Sequence, residues 1–160
     1  MQATIQFLKD ALRHEVKASV FYSKAAEVTR DDKTRMLYIE LGGMEDGHAN
    51  SLLEKIHQTP YGQAFDARAF MQGLENDLEA SVSLAELQLI ETGTLSQVLE
   101  LAIQLEHRAC ANYEALAAKA TDPDLKAHCL AAVEEERSHV RDLTHQLSSL
   151  DMDEGDRPGL

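Results

Sequence analysis

The sequence predicts an all-α fold, a four-helix bundle made of two helical hairpins joined by one long crossover. Three observations carry that prediction. The prolines are Pro60, Pro123 and Pro158, so long stretches of chain contain no helix breaker. Within those stretches apolar residues recur at steps of three and four. Three prolines and eight glycines in 160 residues are also too few for the many turns of an all-β sandwich or barrel.

The elements follow in order. Residues 2–29 carry Ile5, Leu8, Leu12, Val16 and Phe21 among helix-forming Ala, Lys and Glu, and read as the first long helix. Asp31 and Asp32 can cap a second, running through Met36, Leu37, Leu41, Met44, Leu52 and Ile56. It should stop before Thr59-Pro60-Tyr61-Gly62, a turn signature. Short helices are expected at 65–78 and 82–90, inside a crossover spanning about 60–94. A third long helix is expected over 96–120, with Thr94 or Ser96 as its cap. Thr121-Asp122-Pro123-Asp124 then reads as a cap, a proline at the first helical position and an acid in the first turn, opening a fourth helix to about Leu150. Residues 1–150 thus form the bundle, and the acidic segment 151–160, with Gly155 and Pro158, is expected to fray. Such a chain is long enough for one domain with its own core.

Composition narrows function. There are 28 acidic residues against 15 basic ones, a formal charge of −13. Without a basic run, such a chain repels phosphate backbones and anionic membrane surfaces, so no nucleic acid and no membrane is the expectation. Lys9, Asp10, Arg13, His14, Glu15 and Lys17 interrupt the N-terminal apolar positions, so a secretory signal is not expected there. The expected compartment is the cytoplasm, with reduced thiols. Cys110 and Cys129 are too few for a disulfide scaffold or a four-cysteine metal ribbon. They read as small buried thiols rather than a redox pair.

Sliding the chain on itself by 91 residues reveals an internal repeat. Eleven of the 47 positions from Gln6 to Leu52 match without a gap, including Leu8/Leu99, Ala11/Ala102, Glu15/Glu106, Ala18/Ala109, Tyr22/Tyr113 and Ala26/Ala117. Asp31/Asp122, Glu45/Glu136, His48/His139 and Leu52/Leu143 continue the series. The spacing matters more than the count. In the first helix the matches step by three and four, which places them on one face. The two hairpins therefore read as copies related by an approximate two-fold that share their inward face.

That face carries charge. Glu15, Glu45, Glu106 and Glu136 should point inward with His48 and His139. Four carboxylates in a dry core repel and are costly to desolvate. Two divalent cations would balance them. Glu and His at i and i+3 lie on one side of a helix, and Glu45-Asp46-Gly47-His48 and Glu136-Arg137-Ser138-His139 are two such pairs. Glu15 and Glu106 supply one carboxylate from each remaining helix. This is the arrangement of di-iron and di-manganese carboxylate bundles. Oxygen-rich sites with two imidazoles suit iron or manganese, and zinc can also occupy them. Tyr22 and Tyr113, two turns beyond Glu15 and Glu106, can hydrogen-bond a ligand carboxylate across the bundle. Tyr38 reads as core. The unmatched His14, His57, His107, His128 and His145 read as surface or helix-end residues, and the run Glu134-Glu135-Glu136 as a solvated edge from which only Glu136 has the inward phase.

These residues resemble those of the rubrerythrin family of ferritin-like di-iron proteins. The resemblance rests on Glu15 with Tyr22, Glu45 with His48, Glu106 with Tyr113 and Glu136 with His139, and covers residues 3–149. It implies a non-haem centre of two iron ions, chemistry on peroxide or dioxygen, and a homodimer. Two features depart from the family. Rubrerythrins usually carry a rubredoxin-like domain whose four cysteines hold one iron, and two cysteines cannot build one, so an external electron donor is implied. Peroxidase-type members carry a further ligand Glu three residues after the third-helix Glu, where this chain has Ala109. Three functions follow as alternatives: a di-iron oxidoreductase acting on peroxide, dioxygen or ferrous iron; a non-catalytic holder of iron, manganese or zinc; and a metal-free helical interaction module.

Overall fold

The computed structural model describes residues 2–58, 62, 65–76 and 82–155. Six helices follow one another: α1 (Gln2–Val28), α2 (Asp32–His57), α3 (Ala67–Asn76), α4 (Leu84–Thr92), α5 (Leu95–Lys119) and α6 (Pro123–Gly155). No strand occurs among the described residues.

Local chemistry sets the boundaries. The Asp31 carboxylate accepts from the Thr34 amide at 2.7 Å and caps α2. Thr94, not Ser96, caps α5, in a capping box with Gln97. Ser83 and Glu86 form a second box on α4. At α6 the Asp122 carboxylate accepts from the Asp124 amide at 2.8 Å, and Pro123 takes the first helical position. One boundary differs from expectation. The helix does not end at Leu150 but continues to Gly155, because neither Gly nor Pro interrupts the chain between Pro123 and Gly155. The rest of the expected frayed tail, 156–160, lies outside the described residues, as do residues 59–61 of the expected turn. The short crossover helices lie at 67–76 and 84–92, each displaced by about two residues from its expected start.

The four long helices form a bundle. α1 packs along α2 and α5 along α6, and the hairpins meet through α1 with α5 and α2 with α6. Tyr22 bonds to Glu106 while Tyr113 bonds to Glu15, so α1 and α5 run antiparallel. His48 approaches Glu136 while His139 approaches Glu45, so α2 and α6 also run antiparallel. α2 and α5 must then point the same way, and their connection has to travel the length of the bundle. It does so as α3 and α4. Phe70, Met71 and Leu74 of α3 cover a core cluster built from Leu8, Leu12, Leu52, Ile56, Leu116 and Cys129. Ile90 of α4 enters a second cluster, with Phe21, Tyr38, Leu41, Leu99 and Leu143. Lys17 on α1 pairs with Glu86 on α4 at 3.2 Å.

The glycines of α2 differ in their roles. A Cβ on Gly42 would sit 3.4 Å from the Tyr22 Cβ, so this glycine lets α1 and α2 approach closely. A Cβ on Gly43 or Gly47 would meet nothing within 4 Å.

Candidate metal centre

The two apolar clusters leave a polar layer between them, and the repeat fills it. Glu15, Glu45, Glu106 and Glu136 are at most 2% exposed, each on a different long helix. His139 is buried, and His48 lies at the margin of the layer. Every one of the six residues expected to bind metal is therefore in one place. All six matched pairs from Leu8/Leu99 to Ala26/Ala117 are buried, as the shared-face reading requires.

The contacts repeat as the sequence does. The His48 Nδ1 lies 3.2 Å from Glu45, 3.6 Å from Glu15 and 3.3 Å from Glu136. The His139 Nδ1 lies 3.1 Å from Glu136, 3.6 Å from Glu106 and 3.1 Å from Glu45. The rings stack with centroids 5.8 Å apart. Each tyrosine crosses to the other hairpin, the Tyr22 hydroxyl donating to Glu106 and the Tyr113 hydroxyl to Glu15.

Two donor sets result. Glu15, Glu45, His48 and Glu136 bring one ligand atom each within 4.8 Å of one another, and so do Glu45, Glu106, Glu136 and His139. Glu45 and Glu136 belong to both sets. If each set held a metal ion, Glu45 and Glu136 could serve both ions, and Glu15, His48, Glu106 and His139 one each. Three buried oxygens in this layer, Glu15 Oε2, Glu45 Oε1 and Glu136 Oε1, make no hydrogen bond. Buried carboxylate oxygens without a hydrogen bond, grouped with two imidazoles, are a donor set that fits divalent metal ions.

Electrostatics show how the layer survives without metal. Burial pushes Glu15 well above the usual carboxylate range and Glu106 up to about 8, which favours the protonated acid on both. Burial also opposes charge on Glu45 and Glu136, but contacts with His139 and His48 outweigh it and keep both ionised. Burial opposes charge on the imidazoles too. The carboxylates around them prevail, pushing His139 up to about 12 and holding His48 far above its ordinary value. Without metal the layer thus favours charge on both imidazoles and on Glu45 and Glu136, and protonation of Glu15 and Glu106, so that opposite charges offset one another.

Comparisons with protein-family models, with curated proteins and with solved structures returned no match. The case for this site therefore rests on its own residues.

Several residues differ from the sequence reading. Glu135 is not merely a solvated edge: its carboxylate lies 2.5 Å from the His48 Nε2. That contact keeps a hydrogen on Nε2 and leaves Nδ1 free for a metal when the ring is neutral. Its long side chain and its place beside Glu136 were the only hints in the sequence. His14 and His128 are not surface residues but half-buried, and burial lowers both of their pKa values. Tyr38 is core, as expected, with its ring 5.9 Å from Tyr22 and its hydroxyl making no hydrogen bond. Cys110 and Cys129 are free and buried, and burial raises both thiols, Cys129 to about 11, which makes them poor nucleophiles.

The tyrosines give a first testable consequence. Tyr22→Phe removes the donor to Glu106 and leaves a buried acid short of a partner, which costs about 1–3 kcal/mol. Tyr113→Phe should cost the same, because its contact with Glu15 is the repeat copy. Urea denaturation of the metal-free variants checks both values.

Proposed function

We propose that this chain is a rubrerythrin-like member of the ferritin-like di-iron proteins, an oxidoreductase that reduces peroxide or dioxygen or oxidises ferrous iron. One observation carries the reading: two overlapping four-residue donor sets share Glu45 and Glu136 at the centre of a repeated bundle. Two iron ions bound there would supply the two electrons that, with two protons, convert one peroxide to two waters. Glu45 and Glu136 would hold both ions, Glu15 with His48 one of them, and Glu106 with His139 the other. Tyr22 and Tyr113 orient the terminal carboxylates from across the bundle, and Glu135 fixes the His48 tautomer. The apolar clusters on either side of the layer limit water, which strengthens each ligand interaction. The electrons return from an external donor, and a homodimer is part of the same reading. No described helix is long and apolar enough to cross a membrane.

A second reading is favoured by Ala109, which stands where peroxidase-type relatives carry a seventh ligand. On that reading the six ligands hold iron, manganese or zinc without turnover. Iron-loaded protein mixed with peroxide and a reducing donor separates the two. Sustained peroxide consumption, lost in Glu45→Gln, is the expected result. A single stoichiometric oxidation with no further consumption favours the holder.

A further inference from the structure

The repeat makes the two halves of the metal layer alike, but their exits to solvent differ. The His48 side chain is 15% exposed and that of His139 3%. A cleft of about 280 Å³ between α2 and α6 reaches His48 and Tyr113, and its walls include Gly47, Ser51, His128 and Glu135. At roughly 30 Å³ per water it has room for several water molecules. The 91-residue offset gives the copy of each wall. His128 is matched by Leu37, Glu135 by Met44, Ala132 by Leu41 and Gly47 by Ser138, while Ser51 is matched by Asp142 and Ala131 by Glu40. The groove on that copied face is lined by Leu37, Leu41 and Met44 together with Glu40, Asp142 and His145, and it includes neither His139 nor Tyr22. One cleft ends on a candidate metal ligand and a phenol. The other stops short of both, and its imidazole stays buried.

We propose that hydrated divalent cations and peroxide-sized polar molecules enter this centre from one end, through the cleft at His48. The inference rests on the dinuclear reading above. Glu135 and His128 offer polar partners to a solute losing its water shell, and the acidic field of the chain draws cations toward it. At the other end the groove stops short of His139, whose side chain is 3% exposed, so an ion attracted to Glu40 or Asp142 there meets no open path to the layer.

Gly47 allows a clean test, since a side chain at this cleft wall begins in open space and raises the helix propensity of α2. Gly43, one turn earlier, is equally open but lines a different groove, between α1 and α2. Cobalt(II) uptake by metal-free protein is followed by stopped-flow absorbance, and its stoichiometry by elemental analysis. Gly47→Leu and Ser51→Leu should slow uptake by about tenfold or more while still binding two ions, and Gly43→Leu should load at the wild-type rate. Cleft variants that load two ions as fast as wild type overturn one-ended entry and leave the dinuclear site standing. Equal slowing in Gly43→Leu overturns it as well. Wild type that binds no cobalt defeats the metal reading itself, and the entrance with it.

Discussion

An excess of Fe(II), Mn(II) or Zn(II), added anaerobically, should raise the thermal midpoint of the metal-free protein, and by more at pH 8 than at pH 5.5. The pH trend follows from the directions of the shifts. His48 and His139 are raised above their unfolded values, so their contribution is complete below about pH 6.5 and is lost as pH climbs toward about 12. Glu15 and Glu106 are raised as well. Their contribution is complete below the unfolded value of 4.5, and that of Glu106 is lost as pH rises through about 8. Glu45 and Glu136 are depressed, and lose their contribution only below 4.5. Between pH 5.5 and 8 the metal-free protein therefore loses stability as pH rises. Metal binding has the opposite slope, because its ligands must be deprotonated. An ion at a thousand times its dissociation constant adds about 4 kcal/mol, so two add about 8. At roughly 2–4 °C per kcal/mol for a chain of this size, the midpoint should rise by roughly 15–30 °C. Melting curves with and without metal at the two pH values check both slopes. A midpoint unmoved by all three metals would leave the helical interaction module as the better description.

The second large effect separates bridging from terminal ligands. Glu45→Gln and Glu136→Gln each remove a carboxylate common to both donor sets, so both should lose both ions. His48→Ala and His139→Ala each remove a ligand of one set, so each should keep one ion. The metal-free protein should also respond differently. Without Glu45, two imidazolium ions face a single ionised carboxylate, and breaking such buried pairing costs about 3–5 kcal/mol. Elemental analysis after anaerobic loading and gel filtration gives the counts. A Glu45→Gln protein that still retains one tightly bound ion would show two independent sites instead of a shared one.

The sequence made the bundle and its ligands legible for different physical reasons. Helix starts were legible because capping is local: Asp31, Thr94 and Asp122 announce helices within three residues of themselves. The ligand layer was legible because inward-facing charge on a repeated stripe has no use in an apolar core. The end of α6 was misread, since acidic composition resembles a tail although nothing in it stops a helix before Gly155. Glu135 escaped because its backbone phase points outward while its side chain reaches back to His48. His14 and His128 escaped because their cover comes from neighbouring helices, which no periodicity within one helix reports. The difference between the two exits depends on substitutions such as Glu135 for Met44, which break the repeat and so vanish from any list of its matches.

The central claim is that six residues form one layer that exchanges protons for two metal ions. His48, His139, Glu15 and Glu106 are all shifted toward their protonated forms without metal, and a metal-bound layer would have to release those protons. Calorimetric titration with a divalent ion, repeated in buffers of different ionisation enthalpy, counts ions and protons together. Two ions bound per chain with a net release of protons is the expected result. Two ions bound with no proton release, or one ion bound per chain, would contradict it.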